Sequence, residues 1–170
     1  ENAQSHCHCI AQAAHVMVCA TSIQQNSDAH LERVGMVLVD EDTNAFNKIM
    51  DAFRLPKNSE EEKTKRNEAI QEATKYAIIT PFKVMETAFS SMQVMKAMAE
   101  FGNPNSVTDA GVGALCARTA VIGAFLNVKI NCKDCEDKDF VKDILKKGQD
   151  LVDDTCDLEN QIINITQSKI

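Results

Sequence analysis

The stretch Gly102–Asn131 reads GNPNSVTDAGVGALCARTAVIGAFLNVKIN. It opens on a turn, Gly102-Asn103-Pro104-Asn105, and passes into Ser106-Val107-Thr108-Asp109, the spacing of a helix capping box. From there to about Val128 no proline and no strand-like alternation interrupts a helix. Steps of four and three from Asp109 reach Gly113, Cys116, Ala120, Gly123 and Asn127, with Asn131 four further on. One face is therefore polar at both ends and small in the middle. Small residues let a neighbour approach the backbone closely. Two readings share that pattern: tight helix–helix packing with polar ends, or a groove for a flat ligand. Leu115, Ile122 and Leu126 lie off this line and can serve the core.

The rest of the chain carries the same helical signature. Ala, Met, Leu, Lys, Glu and Gln are common, aromatics are 5%, and there is no Trp. A first helix is expected from about Ser5 to Ser22. A second starts after the cap-rich Asn26-Ser27-Asp28 and runs to about Arg54. Leu55-Pro56-Lys57-Asn58 breaks the chain, and Ser59-Glu60-Glu61-Glu62 is a capping box with acids in its first turn. The third helix runs to about Ile79, where Pro81 ends or kinks it. A fourth covers Phe82 to Phe101, the fifth is the quoted stretch, and a sixth runs from Phe140 to about Ile165. The expectation is an all-α, multihelical up-and-down bundle forming one domain over residues 1–170, a size that suits a single core.

Charge narrows the function classes. Lys plus Arg total 18 against 25 Asp plus Glu, a net charge of −7 and a pI near 5.1. That balance disfavours nucleic acid and anionic membrane as partners, which need a basic footprint. No apolar run reads as a membrane helix, and Glu1-Asn2-Ala3-Gln4 does not read as a signal peptide. Seven cysteines, an odd number scattered through helical sequence, read as reduced thiols in the cytoplasm. His6-Cys7-His8-Cys9 is discounted as a metal tract, because adjacent helical residues face different ways and His6 with Cys9 supplies only two ligands. His15 with Cys19 meets the same shortage. Cys132-Lys133-Asp134-Cys135 lacks both the βαβ context of a redox motif and the second pair of a zinc site. No metal is expected.

One residue breaks an apolar stripe. Leu31, Val34, Leu38, Asp42, Ala45, Phe46, Ile49 and Phe53 follow helical steps, and Asp42 falls inside the line while Asp40 points elsewhere. A carboxylate on a buried face is costly unless paired. Burial raises its pKa, which suits proton transfer near neutral pH. A structural account, in which Asp42 bonds a backbone amide or a lysine, fits the stripe equally.

Taken in order, Asp40-Glu41-Asp42-Thr43-Asn44-Ala45-Phe46, Leu55-Pro56-Lys57-Asn58, the Gly102–Val112 segment and Gly123-Ala124-Phe125-Leu126-Asn127-Val128-Lys129-Ile130-Asn131 resemble the cyclodeaminase domain of formiminotransferase-cyclodeaminase and the related methenyltetrahydrofolate cyclohydrolases. The resemblance spans about Leu38 to Leu151. It implies an intertwined homodimer and an enzyme of tetrahydrofolate one-carbon chemistry. Such an enzyme either closes 5-formiminotetrahydrofolate to the 5,10-methenyl form with loss of ammonia or hydrolyses that form to 10-formyltetrahydrofolate. It needs no cofactor beyond the folate substrate. The resemblance implies Asp42 as the proton-transfer group with Asp40 beside it. Asn103, Asn105, Ser106 and Asp109 would hold the pterin from one end of the groove, and Asn127 and Asn131 from the other. Ser5 takes the serine position of a glycine-rich turn, but Asn2-Ala3-Gln4 replace its glycines. That departure supports an alternative, a catalytically inactive folate-binding or scaffolding dimer. Lys57 is a candidate for the glutamate tail, against the default of an exposed lysine.

Overall fold

The computed structural model describes residues 28–170, and every regular element among them is helical. Helix α1 spans Asp28–Arg54, α2 Glu60–Phe101, α3 Val107–Asn131 and α4 Lys138–Gln167. The first expected helix, with Ser5, His6–Cys9 and the Asn2-Ala3-Gln4 turn, lies outside the described residues. Short 3-10 turns at Pro104–Ser106 and Cys132–Asp134 join the last three helices, which therefore run up and down beside one another.

The expected third and fourth helices are one. Helix α2 continues for 42 residues straight through Pro81. Its start is built as read: Ser59 Oγ accepts from the Glu62 amide at 3.1 Å, and the Glu62 carboxylate accepts from the amides of Ser59 and Asn58. The second expected capping box does not form. Ser106 makes no side-chain cap; Asn103 Oδ1 instead accepts from the Asn105 amide at 3.0 Å, and the 3-10 turn feeds directly into α3. A turn that already satisfies these first donors leaves Ser106 no cap to make.

Two apolar layers stack along the bundle. One joins Leu38 of α1 to Ile78 and Met85 of α2, Val121, Phe125 and Val128 of α3, and Ile144 of α4. The other joins Met92 and Met95 to Ala110, Ala114 and Ala117 of α3 and to Leu158 and Ile162 of α4. Helix α3 is the central rod, and it meets its neighbours through alanines and glycines. Gly148 of α4 lets Phe125 lie against its backbone, where a Cβ would collide with the ring.

This corrects the reading of α3. Leu115 and Leu126 do not serve the core; they are 45% and 61% exposed. The buried face of α3 is mostly Ala and Gly with Val121, Phe125 and Val128 among them, and Leu115 and Leu126 lie off that face and turn outward. With Val112 and Ile130 they make an exposed apolar stripe of helical period along α3. Taken with its flanking turns, this segment is long and apolar enough to cross a membrane by composition alone; half of it is buried inside the bundle. The stripe on α1 needs a similar correction. Leu38, Ala45 and Ala52 are buried, whereas Phe46 and Phe53 face outward.

Candidate functional site

Two contacts fix the register of α1 against α2. Glu41 pairs with Lys83 at 3.1 Å, and the Lys48 ammonium lies 3.9 Å from the centre of the Tyr76 ring. Seven residues forward on α1 thus match seven back on α2, as antiparallel helices require. Asp42 stands one residue beyond Glu41, at the level of Phe82. It lies between the buried Leu38 and Ala45, is itself half-buried, and interacts with a neighbouring group. It holds the boundary between core and surface, where a carboxylate keeps access to a ligand. Asp40 is exposed.

Pro81 explains Asn131. Proline has no N–H, so the carbonyl of Ala77, four residues earlier, loses its helical partner. Asn131 Nδ2 donates to that carbonyl at 2.8 Å from the end of α3. The asparagine amide therefore restores the bond that the proline removes, which is how α2 passes Pro81 without breaking. Asn127, one turn earlier on α3, is half-buried.

The remaining candidates lie elsewhere. Asn103, Asn105 and Asp109 are exposed and Ser106 is half-buried, all at the opposite end of α3. Asp109 and Asn131 are separated by about 33 Å at the helical rise. Asn127 and Asn131 thus stand at one end of α3 and Asn103, Asn105, Ser106 and Asp109 at the other, while Asp42 lies on α1 at the level of Phe82. Lys57 is exposed in the connection between α1 and α2. Between the two ends, the outward side of Gly123 is open, with nothing within 4 Å of where a Cβ would be.

A polar clamp supports the Asn131 end. Gln71 accepts from the Glu136 amide at 2.8 Å and donates to the Asp134 carbonyl, while Lys75 pairs with Asp137 at 2.5 Å. Asp137 also caps α4 by accepting from the Phe140 amide. The bond from Lys75 and then that amide hold the Asp137 carboxyl below its usual range, and the same bond pushes the Lys75 ammonium up. Cys132 and Cys135 in this turn are buried free thiols, and burial followed by the neighbouring Cys135 raises Cys132. Among the described residues no group of three or more His, Cys, Asp or Glu side chains is arranged to hold a metal. Sequence reasoning missed the clamp and the Lys48–Tyr76 contact, because both join residues far apart in the chain.

A family model described as formiminotransferase-cyclodeaminase matches residues 11–150. The chain is 34% identical over 140 residues to a methenyltetrahydrofolate cyclohydrolase of Methylorubrum extorquens, a match covering 82% of this chain and 67% of that protein. It is 39% identical over 103 residues to the formimidoyltransferase-cyclodeaminase of Rattus norvegicus, covering 61% of this chain but only 19% of that longer protein. Its fold resembles that of a formiminotetrahydrofolate cyclodeaminase from Thermotoga maritima, with a TM-score of 0.68, 21% identity, and coverage of 98% of this chain and 87% of that one.

Proposed function

Since the chain belongs to the formiminotransferase-cyclodeaminase family, we propose that it acts on the one-carbon bridge between N5 and N10 of tetrahydrofolate. The reaction is either cyclisation of 5-formiminotetrahydrofolate with loss of ammonia or hydrolysis of 5,10-methenyltetrahydrofolate to the 10-formyl compound. In the first, N10 attacks the formimino carbon and a proton must reach the departing nitrogen. In the second, water adds to the methenyl carbon and a proton must leave that water. Both steps pass through a tetrahedral carbon and gain from one positioned acid–base group, worth roughly 10²–10⁴ in rate. Asp42 is that group in this reading, with Asp40 as its charged neighbour. The observation that carries it is the position of Asp42, half-buried on the core boundary between Leu38 and Ala45. No cofactor beyond the folate is invoked, and the free thiols suit a cytoplasmic protein.

The two separated groups of candidates favour a homodimer. An isologous contact repeats one surface on both subunits. Pairing two α3 helices antiparallel along the Val112–Ile130 stripe buries Leu115 and Leu126 and centres the contact near Thr119 and Gly123. The same pairing carries Asp109 of one subunit toward Asn131 of the partner subunit, so a folate site assembled across the seam would use both groups.

The test is a pair of assays on the purified protein, one with 5-formiminotetrahydrofolate and one following the loss of methenyltetrahydrofolate absorbance. Turnover of either above the buffer rate is the expected result. Binding of a reduced folate without turnover of either substrate would select an inactive folate-binding dimer instead.

A further inference from the structure

Two flanks of α1 border the line that it buries against α2. Glu41 and Lys48 lie on one, where they reach Lys83 and Tyr76. Asp42 lies on the other, and steps of four, three and four lead from it to Phe46, Ile49 and Phe53. Ile49 is half-buried, but Phe46 and Phe53 are 39% and 51% exposed. At the foot of this line stands Arg66 of α2. Its Nε and Nη2 donate to the Phe53 carbonyl at 3.4 and 3.2 Å, and its guanidinium lies 5.5 Å from the centre of the Phe53 ring. Those bonds occupy one edge of the guanidinium and leave the edge between its two terminal nitrogens for a second partner. The neighbouring Arg54, Lys63 and Lys65 each pair with an acid three or four residues away, whereas Arg66 bonds a carbonyl. Arg66 also precedes Ala77 by eleven residues, three helical turns, and Ala77 is the residue that Asn131 of α3 reaches. The Asp42 flank of α1 therefore opens on the α3 side of the bundle.

We propose that this flank carries the p-aminobenzoyl-glutamate arm of the folate, with the aminobenzoyl ring against Phe46 and a tail carboxylate on Arg66. The inference rests on the folate reading above and adds to it the residues that hold the arm. The order of groups along α1 matches the order along the ligand. The one-carbon bridge comes first, beside Asp42. The flat ring comes next, and Phe46 offers an aromatic partner one helical turn on. The glutamyl carboxylates come last, and a guanidinium with a free edge engages a carboxylate in a fork. Asp42 and Phe53 are eleven residues apart, about 16 Å along the helix axis, a span comparable with the extended arm. Solvent-facing aromatics on a helix that continues into a carboxylate receptor suit an occupant that is apolar in the middle and anionic at its end. This direction leaves the pterin to the seam between two α3 helices, so both ends of the ligand meet groups of matching chemistry.

The experiment is calorimetric titration of the full chain with 5-formyltetrahydrofolate and with 5-formyltetrahydropteroate, the same molecule ending at the benzoate without the glutamate. The proteins compared are the unmodified chain, Arg66→Gln and Phe46→Ala, each checked for helical content by circular dichroism. The unmodified chain is expected to prefer the glutamate-bearing ligand about tenfold or more, the scale of a charged hydrogen bond. Arg66→Gln is expected to abolish that preference by weakening the folate alone. Phe46→Ala weakens both ligands, since both carry the ring. A purely structural role for Arg66 at the end of α1 would weaken the two ligands equally, and that result overturns the proposal. A glutamate preference that survives in Arg66→Gln overturns it as well, while leaving the folate reading intact. Unchanged affinities in Phe46→Ala together with a changed sedimentation coefficient would assign the aromatic flank to a second copy of the chain and remove the ring from it. If the unmodified chain binds neither ligand, the folate reading itself fails.

Discussion

Asp42 and Asn131 show how differently two candidate polar residues are used. Asp42 interrupts an apolar line at the edge of the core, between the buried Leu38 and Ala45. Asp42→Asn keeps shape and removes the titrating group. Turnover of the active substrate is expected to fall at least a hundredfold with the melting temperature little changed; near-normal turnover would remove Asp42 from the chemistry. Asn131, by contrast, has a structural task visible in its bond to the Ala77 carbonyl beside Pro81. Replacing it with Leu leaves that carbonyl without a partner, a cost of about 1–3 kcal/mol. In a Pro81→Ala background the backbone N–H returns, so the same replacement costs much less. Urea unfolding of both single variants and the double variant measures this coupling, and equal costs in the two backgrounds would show that the asparagine does not serve the proline gap.

At the scale of elements, each helix start is settled by whatever group reaches the first free amides. Ser59 does this for α2 from its own sequence neighbourhood, which is why that box is legible locally. At α3 the 3-10 turn displaces Ser106 from the same task. At α4 the cap is Asp137, and a lysine 62 positions earlier completes it. With the Asp137 carboxyl held below its ordinary value, the pair stabilises the start of α4 fully above about pH 4 and loses that contribution as pH falls through the lowered value. Lys75, shifted upward, contributes below its ordinary value and is lost only at strongly alkaline pH. Both groups are about 40% exposed, so salt screens the effect. Relative to the unmodified chain, Asp137→Asn is expected to be destabilised at pH 7 and to converge with it toward pH 2.5. The pH dependence of the urea midpoint checks this at low and high salt, and parallel curves would dismiss the pair.

For the whole molecule, the outward stripe of α3 is an exposed apolar feature of the described residues, with Leu126 at 61% exposure and Val112 at 58%. If two copies meet there, Leu126→Glu buries an unpaired charge and Gly123→Leu forces the helices apart. Each variant is expected to sediment as a monomer at concentrations where the unmodified chain is a dimer, with helical content retained. An unmodified chain that sediments as a monomer refutes the pairing. The sequence by itself determined the all-α class, the α2 capping box, the turn before α3 and the family, because each rests on neighbours three or four residues apart or on an ordered set of short motifs. It misjudged the break at Pro81, since the compensating amide lies 50 positions away at Asn131. It misjudged which side of α3 is buried, since a periodic pattern finds two faces of a helix but does not say which neighbour covers either one. The division of the candidate residues between the two ends of α3, and the clamp of Gln71 and Lys75 on the turn before α4, were decided by tertiary structure alone. Helix length and interhelical register set those distances, and neither is written in any local stretch of chain.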